Sequence, residues 1–172
     1  ALRPKLLTFT DNRQDASLQA GHFNDFVRVA IMRAALYSAL KDLKEQKELR
    51  FDNLAREVVR RMGLDLAAIT QNPALDPESG QSRKVWQAFE RLTEYRLYED
   101  LRRGWRIVQP NLEDVGLLRL EYDGLSELCE RKELFRDLPG LSACELPERY
   151  QVLRAFLEYF RKKLAIEVSV LQ

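Results

Sequence analysis

The chain has few of the residues from which metal sites and disulfide frameworks are built. Its 172 residues include two cysteines, Cys129 and Cys144, and one histidine, His22. The cysteines form no CxxC pair, so the sequence signals neither a zinc site nor a disulfide framework. We predict two reduced, structural thiols in a cytoplasmic protein. We interpret His22, beside Gly21 on a predicted helix, as a packing or capping group rather than a ligand or base.

Long apolar runs and catalytic motifs are also missing. No run approaches the ~20 residues that a membrane-spanning helix needs, and the N-terminus lacks the apolar core of a signal peptide. The sequence contains no phosphate-binding GxxxxGK[ST] loop, no DEAD or DEAH tetrapeptide, no HExxH and no GxSxG. We therefore expect no membrane partner, no cofactor and no independent enzymatic activity for this chain. Because it opens with Ala and enters a strand almost at once, we expect it to be part of a longer protein.

The overall charge is nearly balanced. Basic residues number 28 and acidic residues 27, which leaves a formal charge of +1. This balance lacks the strong positive field of an obligate nucleic-acid coat, so any contact with phosphate must come from a local cluster. Hydrophobic residues make up 45% of the chain, which is enough for a core of domain size.

Hydrophobic periodicity predicts a mainly α fold around one long N-terminal helix. A short apolar strand at 5–9 precedes this helix, which we predict from residue 12 to about 46. Its apolar residues cover so wide an arc that we expect it to be buried between other helices. The predicted inward stripe consists of Phe23, Val27, Ala30, Ile31, Ala34 and Tyr37. A second apolar side, made of Phe26, Leu36, Leu40 and Leu43, extends the stripe.

Shorter helices follow along the chain. The pattern predicts them at about 51–62, 82–103, 124–137 and 147–166. In the last one we expect Leu153, Phe156, Leu157, Phe160 and Leu164 to face inward and Arg161, Lys162 and Lys163 to face solvent. Residues 105–109 and the alternation of Leu118, Leu120 and Tyr122 allow a small two-stranded element. Two prolines and a glycine mark 71–81 as a flexible loop between a first segment, 1–70, and a second, 82–172.

The junction between the first strand and the long helix is the first candidate site. Main-chain amides at a helix N-terminus point at one spot, and the side chains of Thr10, Asn12, Arg13 and Gln14 can each contact a phosphate oxygen. The alternative is helix capping, in which Thr10 or Asp11 accepts from the free amides of the first turn.

The densest basic cluster is the second candidate site. Arg102, Arg103 and Arg106 can neutralise phosphates, and Trp105 can stack on a base. The alternative for Trp105 is simple packing at the end of an element.

Two stretches resemble one protein family. LLTFTDNRQDASLQAGHF resembles the motif that opens the second RecA-like lobe in large bacterial superfamily 2 DEAD/DEAH-box helicases, and GWRIVQPNLEDVGLL is similar to a segment further along in the same proteins. The resemblance implies that residues 9–14 fall on the fourth helicase motif, near the bound strand and the interlobe cleft. It further implies that 82–172 is a helical insertion in that lobe. The parent protein would use ATP and Mg²⁺, whereas this chain lacks the ATPase motifs.

Two hypotheses for function follow. In the first, the chain is an accessory helical fragment of an ATP-dependent helicase that contacts a nucleic-acid strand, and its partners are the rest of the parent helicase and single-stranded nucleic acid. In the second, which the near-zero net charge favours, it is a structural or protein-interaction module with no nucleic-acid contact. Because the strand at 5–9 has no obvious partner, we expect it to be disordered, packed on its own helices, or paired with a second copy in a dimer.

Overall fold

The computed structural model describes residues 13–43, 48–72, 74–102 and 109–165, and these are mainly helical. This confirms the predicted mainly α class. The described residues contain seven α-helices and one 3-10 helix. In chain order they are α1 (Arg13–Lys41), α2 (Phe51–Met62), α3 (Leu66–Ile69), α4 (Gly80–Asp100), α5 (Leu125–Glu130), the 3-10 helix (Lys132–Phe135), α6 (Pro139–Ala143) and α7 (Leu146–Lys163).

Several helix ends follow from local sequence. Gly63 ends α2 with a φ of 63°, a left-handed conformation that glycine adopts without steric cost. Asp65 caps α3 by accepting from the amide of Ala68, and Ser79 caps α4 by accepting from the amide of Ser82. The predicted helix at 124–137 is instead divided into α5 and the 3-10 helix. Among the described helices, none is both long and apolar enough to cross a membrane.

The main hydrophobic core lies between α1, α2 and α4. Its buried members are Met32, Ala35 and Leu36 from α1, Leu54 and Val58 from α2, and Leu97 and Leu101 from α4 and the residue after it. Leucines from 112–120 pack against the same cluster. The core therefore joins helices that lie on both sides of the loop at 71–81.

The prediction for the buried face of α1 is wrong for the inward stripe, whereas on the predicted second side Leu36 is buried, Leu40 packs against the core and Phe26 is exposed. Met32, Ala35, Leu36 and Ala39 are buried, whereas every member of the predicted inward stripe is exposed, and Phe23 is 50% exposed. Two sides of α1 are apolar, but among the described residues α2 packs against only one of them. Hydrophobic periodicity shows that a side is apolar, but it does not show which of two apolar sides a neighbour covers.

The predicted strand at 118–122 is also wrong, because these residues are irregular. The amides of Leu117 and Leu118 both donate to the carbonyl of Leu112, at 2.8 and 3.3 Å, and so close a turn instead of pairing with a strand. Leu118 and Leu120 still pack against the core, as their alternation indicates. The predicted partner strand at 105–109 lies outside the described residues except for its last residue, and the predicted strand at 5–9 lies wholly outside them.

A second, smaller cluster surrounds the first turn of α7. Leu125 and Cys129 of α5 and Phe135 of the 3-10 helix are buried here, together with the whole side chain of Arg149. Burial raises the pKa of the Cys129 thiol. Cys129 and Cys144 are both free, with no disulfide between them.

Arg149 holds this cluster together through main-chain oxygens. Its Nε donates to the carbonyl of Leu141 at 2.8 Å, Nη1 to that of Cys129 at 2.6 Å, and Nη2 to that of Cys144 at 2.7 Å. The guanidinium carbon also lies 5.3 Å from the centre of the Phe135 ring. One buried cation thus ties α5, α6 and the loop before α7 to α7 itself.

Candidate nucleic-acid interface

Of the first candidate site, the structure describes only the backbone of Arg13 and Gln14. Arg13 and Gln14 lie in the first turn of α1, as the motif predicts. Their side chains, and the whole of Thr10 and Asn12, lie outside the part of the chain that can be described. The proposed phosphate contacts of this junction therefore stay predictions.

Of the second candidate site, the structure describes one residue, Arg102. Arg102 lies two residues beyond the end of α4, while Arg103, Trp105 and Arg106 lie outside the described residues. The Nε of Arg102 donates to the carbonyl of Lys162 at a distance of 2.8 Å. The first arginine of the predicted cluster is therefore fixed against the last turn of α7.

The ends of α4 and α7 meet at this point. Besides the bond from Arg102, the Nη1 of Arg161 donates to the carbonyl of Leu101 at 3.0 Å. Lys162 and Lys163 are exposed beside these contacts. We call this group, Arg102, Arg161, Lys162 and Lys163, the α4–α7 corner. It places two exposed lysines next to Arg102 in the fold.

Arg161 does not face solvent, contrary to the prediction. Its side chain is 14% exposed and forms ion pairs with Glu113 and with Glu158 one turn earlier on α7. Burial alone would lower the pKa of Arg161, but hydrogen bonds to the two carboxylates outweigh it and raise that pKa. The sequence run Arg161-Lys162-Lys163 thus contains one structural cation and two exposed ones.

Tyr122 extends this network, and its ionisation makes the stability of the fold depend on pH. Its hydroxyl donates to Oε1 of Glu158 at 3.1 Å, and burial, followed by the nearby Glu158 charge, raises the pKa of Tyr122 to about 12. Because the unfolded chain releases this proton near pH 10, the contribution of Tyr122 to stability is complete below about pH 10 and is lost as the pH rises towards 12.

We expect Tyr122 to be the last tyrosine to ionise in a titration of native protein followed by tyrosinate absorbance. Replacing Tyr122 with phenylalanine should remove that late step and leave the earlier ones unchanged. A late step that persists in the Tyr122→Phe variant would contradict the assignment. Burial also raises the pKa of Tyr98, so Tyr98→Phe is the matched control and should leave the last ionisation step in place.

A buried ion pair joins α1 to α4. The Nε of Arg33 donates to Oδ2 of Asp100 at 2.9 Å, and its Nη2 donates to Oδ1 at 2.7 Å, so the pair is bidentate. The same guanidinium donates to the main-chain carbonyls of Gln109 and Pro110 at 3.1 and 2.9 Å. The Asp100 side chain is only 4% exposed. This pair therefore fixes the segment after residue 108 against both helices.

The segment that follows is held by its own polar side chains. The Nδ2 of Asn111 donates to the carbonyl of Asp100 at 2.7 Å, while its Oδ1 accepts from the amide of Asp114 at 2.9 Å. Asp114 Oδ2 in turn accepts from the amide of Asn111 at 3.2 Å, which forms a reciprocal cap. Gly116 completes the turn with a φ of 74°. Together with Glu113, these residues join α1, α4 and α7.

The stretch GWRIVQPNLEDVGLL therefore forms structural contacts in its described part, 109–118. The N-x-x-D spacing of Asn111 and Asp114 is a capping signal that could have identified this turn from the sequence. Arg33 also indicated an internal ion pair, because it is a charged residue within an apolar helix. Arg149 carried no such indication, since its three acceptors are main-chain oxygens.

The described residues contain no group of three or more histidine, cysteine or acidic side chains that could hold a metal ion.

No protein-family model, no curated protein and no solved structure matches this chain.

Proposed function

We propose that the chain is an accessory helical segment of an ATP-dependent superfamily 2 helicase, in which it contacts a single nucleic-acid strand and leaves ATP hydrolysis to the rest of the parent protein. Two stretches that resemble such helicases, in the same order along the chain, support the assignment to this class. The α4–α7 corner supports strand contact, because it sets Lys162 and Lys163 beside Arg102.

The α4–α7 corner has the chemistry that phosphate binding needs. Lysine and arginine side chains attract phosphates through charge, and each phosphate neutralised on a single strand adds about 0.7 to the logarithmic salt slope of the affinity. Arg103, Trp105 and Arg106 follow Arg102 directly in the sequence and would extend the contact. The strand would then run past the joined ends of α4 and α7.

The variant Arg102→Ala/Arg103→Ala tests this proposal. We expect it to bind a fluorescein-labelled single-stranded oligonucleotide about tenfold more weakly than the unmodified chain at low salt, since two phosphate contacts are lost. Fluorescence anisotropy measures the affinity. The matched control is Arg131→Ala/Lys132→Ala, which removes two adjacent exposed cations elsewhere and should bind almost normally. Equal binding by the two variants, with circular dichroism showing both folded, would overturn the assignment of the strand to this corner.

A bracing module is the second candidate, and the exposed side of α1 favours it. Phe23, Val27 and Ile31 lie on one apolar stripe that the described part of the chain leaves exposed. Three arginines, Arg33, Arg149 and Arg161, are engaged in internal contacts and not at the surface. In this alternative the α1 stripe packs on another domain of the parent helicase and no strand is bound.

Self-association through residues 5–9 is a further proposal. Those residues lie outside the described part of the chain. Light scattering of the purified chain tests this proposal. If the chain is a dimer and the Leu7→Pro variant is a monomer, pairing of the two strands is supported, because proline removes a hydrogen bond between strands. A monomer at every concentration would contradict it.

A further inference from the structure

An aromatic stripe on α7 is exposed to solvent. Phe156 and Phe160 were expected to face inward, but Phe156 and Tyr159 are each 56% exposed, and Phe160 is also exposed. Residues 152, 156, 159, 160 and 163 recur at helical spacing and lie on one side of the helix. The Phe156 and Phe160 rings meet edge to face, with centroids 4.6 Å apart, and Tyr159 and Phe160 are 6.4 Å apart. The stripe is thus a continuous aromatic surface.

Positive charge lies along this surface. The Nζ of Lys163 lies 5.7 Å from the centre of the Tyr159 ring, and Lys162 is exposed next to it. Arg154, Glu158, Tyr159 and Lys162 line a shallow groove along the flank of the stripe. The nearby carboxylate of Glu158 forms an ion pair with Arg161, so its charge is compensated.

We propose that this face of α7, made of Phe156, Tyr159, Phe160 and Lys163 and flanked by Lys162 next to Tyr159, binds single-stranded nucleic acid. Bases would stack on the aromatic rings while phosphates lie against the two lysines, a combination typical of sequence-tolerant single-strand binding. The proposal rests on the proposed function and extends its strand contact from Arg102 along α7. Lys162 connects the two regions, because its carbonyl accepts from Arg102.

Charge favours a nucleic-acid strand over a protein as the occupant. A protein partner that covered the rings would also desolvate Lys162 and Lys163, which is costly unless it supplies matching carboxylates. A single strand supplies one phosphate per nucleotide and exposes the faces of its bases. A duplex hides those faces within its stack, so we expect single strands to be preferred.

The variant Phe156→Leu/Tyr159→Leu separates stacking from simple hydrophobic contact. Leucine keeps the apolar surface and the helix propensity but has no aromatic face. We expect the variant to bind a labelled oligo(dT) about tenfold more weakly by anisotropy, since two stacking contacts are lost. The matched control is Phe23→Leu/Phe26→Leu, which changes two aromatic residues of α1 that are each 50% exposed. It should bind like the unmodified chain.

Photo-crosslinking of the unmodified chain to oligo(dT) gives a second measurement that needs no variant. We expect crosslinked peptides to include residues 156–160. Normal binding by the α7 variant, or crosslinks confined to other segments, would overturn the α7 site. If the unmodified chain binds and Arg102→Ala/Arg103→Ala weakens it while the α7 variant does not, the proposed function stands and this site falls. If the unmodified chain binds no oligonucleotide at low salt, both fall.

Discussion

Replacing Arg149 with methionine is expected to lower the free energy of unfolding by about 3 to 5 kcal/mol, because three main-chain carbonyls, that of Cys129 buried and those of Leu141 and Cys144 part-buried, lose a charged donor. Arg149 is fully buried, and its bonds to Leu141, Cys129 and Cys144 measure 2.6 to 2.8 Å. Methionine fills most of the side-chain volume but donates no hydrogen bond, so the loss measures the polar contacts more than a cavity. Urea unfolding followed by circular dichroism gives the difference.

Two further variants control this experiment. Arg56→Met changes an exposed arginine of α2 and should alter stability by no more than about 0.5 kcal/mol. Arg149→Lys keeps the charge but cannot match the fork of the guanidinium, so it should recover only part of the loss. A change below about 1 kcal/mol for Arg149→Met would show that Arg149 does not hold α5, α6 and α7 together.

Replacing Asp100 with alanine is expected to destabilise the chain by a similar amount, about 3 to 5 kcal/mol, because it leaves the Arg33 guanidinium without its carboxylate in a largely buried position. The bidentate pair, at 2.7 and 2.9 Å, is the main polar link between α1 and α4. Urea unfolding again provides the measurement. Hydrogen exchange should show increased opening near Asn111, whose side chain donates to the Asp100 carbonyl.

A double-variant cycle distinguishes the pair from the loss of packing. Arg33→Met/Asp100→Leu removes both charges and restores apolar volume, so we expect it to be clearly more stable than Asp100→Ala alone. The losses of the single variants Arg33→Met and Asp100→Leu should not add up to that of the double variant. Additive losses would mean that Arg33 and Asp100 contribute separately, and that the joint between α1 and α4 depends on other contacts.

Helix positions followed from the sequence more reliably than helix faces. The stop at Gly63 and the cap at Ser79 are local, since each depends on one or two residues. The buried side of α1 is not local, because two of its sides are apolar and the choice between them depends on where α2 packs. The same reason explains Phe156 and Phe160, which fit an inward stripe but are exposed.

The polar joints could be predicted only in part. The capping pair Asn111 and Asp114 lies within four residues, so a spacing rule identifies it. The partners of Arg33 and Arg161 are far apart in sequence, with Asp100 67 residues from Arg33 and Glu113 48 residues from Arg161. A single sequence gives the types of such residues but not their pairing, which only the fold defines. The α4–α7 corner is of this kind, since the fold sets Lys162 beside Arg102.

The most direct test of strand contact is the anisotropy of a labelled single-stranded oligonucleotide titrated with the unmodified chain at several salt concentrations. The account predicts binding at low salt that weakens steadily as salt rises, with a logarithmic slope of about −2, as expected for roughly three phosphates neutralised on a single strand. Absence of binding at low salt by a chain that circular dichroism shows to be folded would contradict it. That result would leave the bracing module, with the exposed α1 stripe as its contact surface.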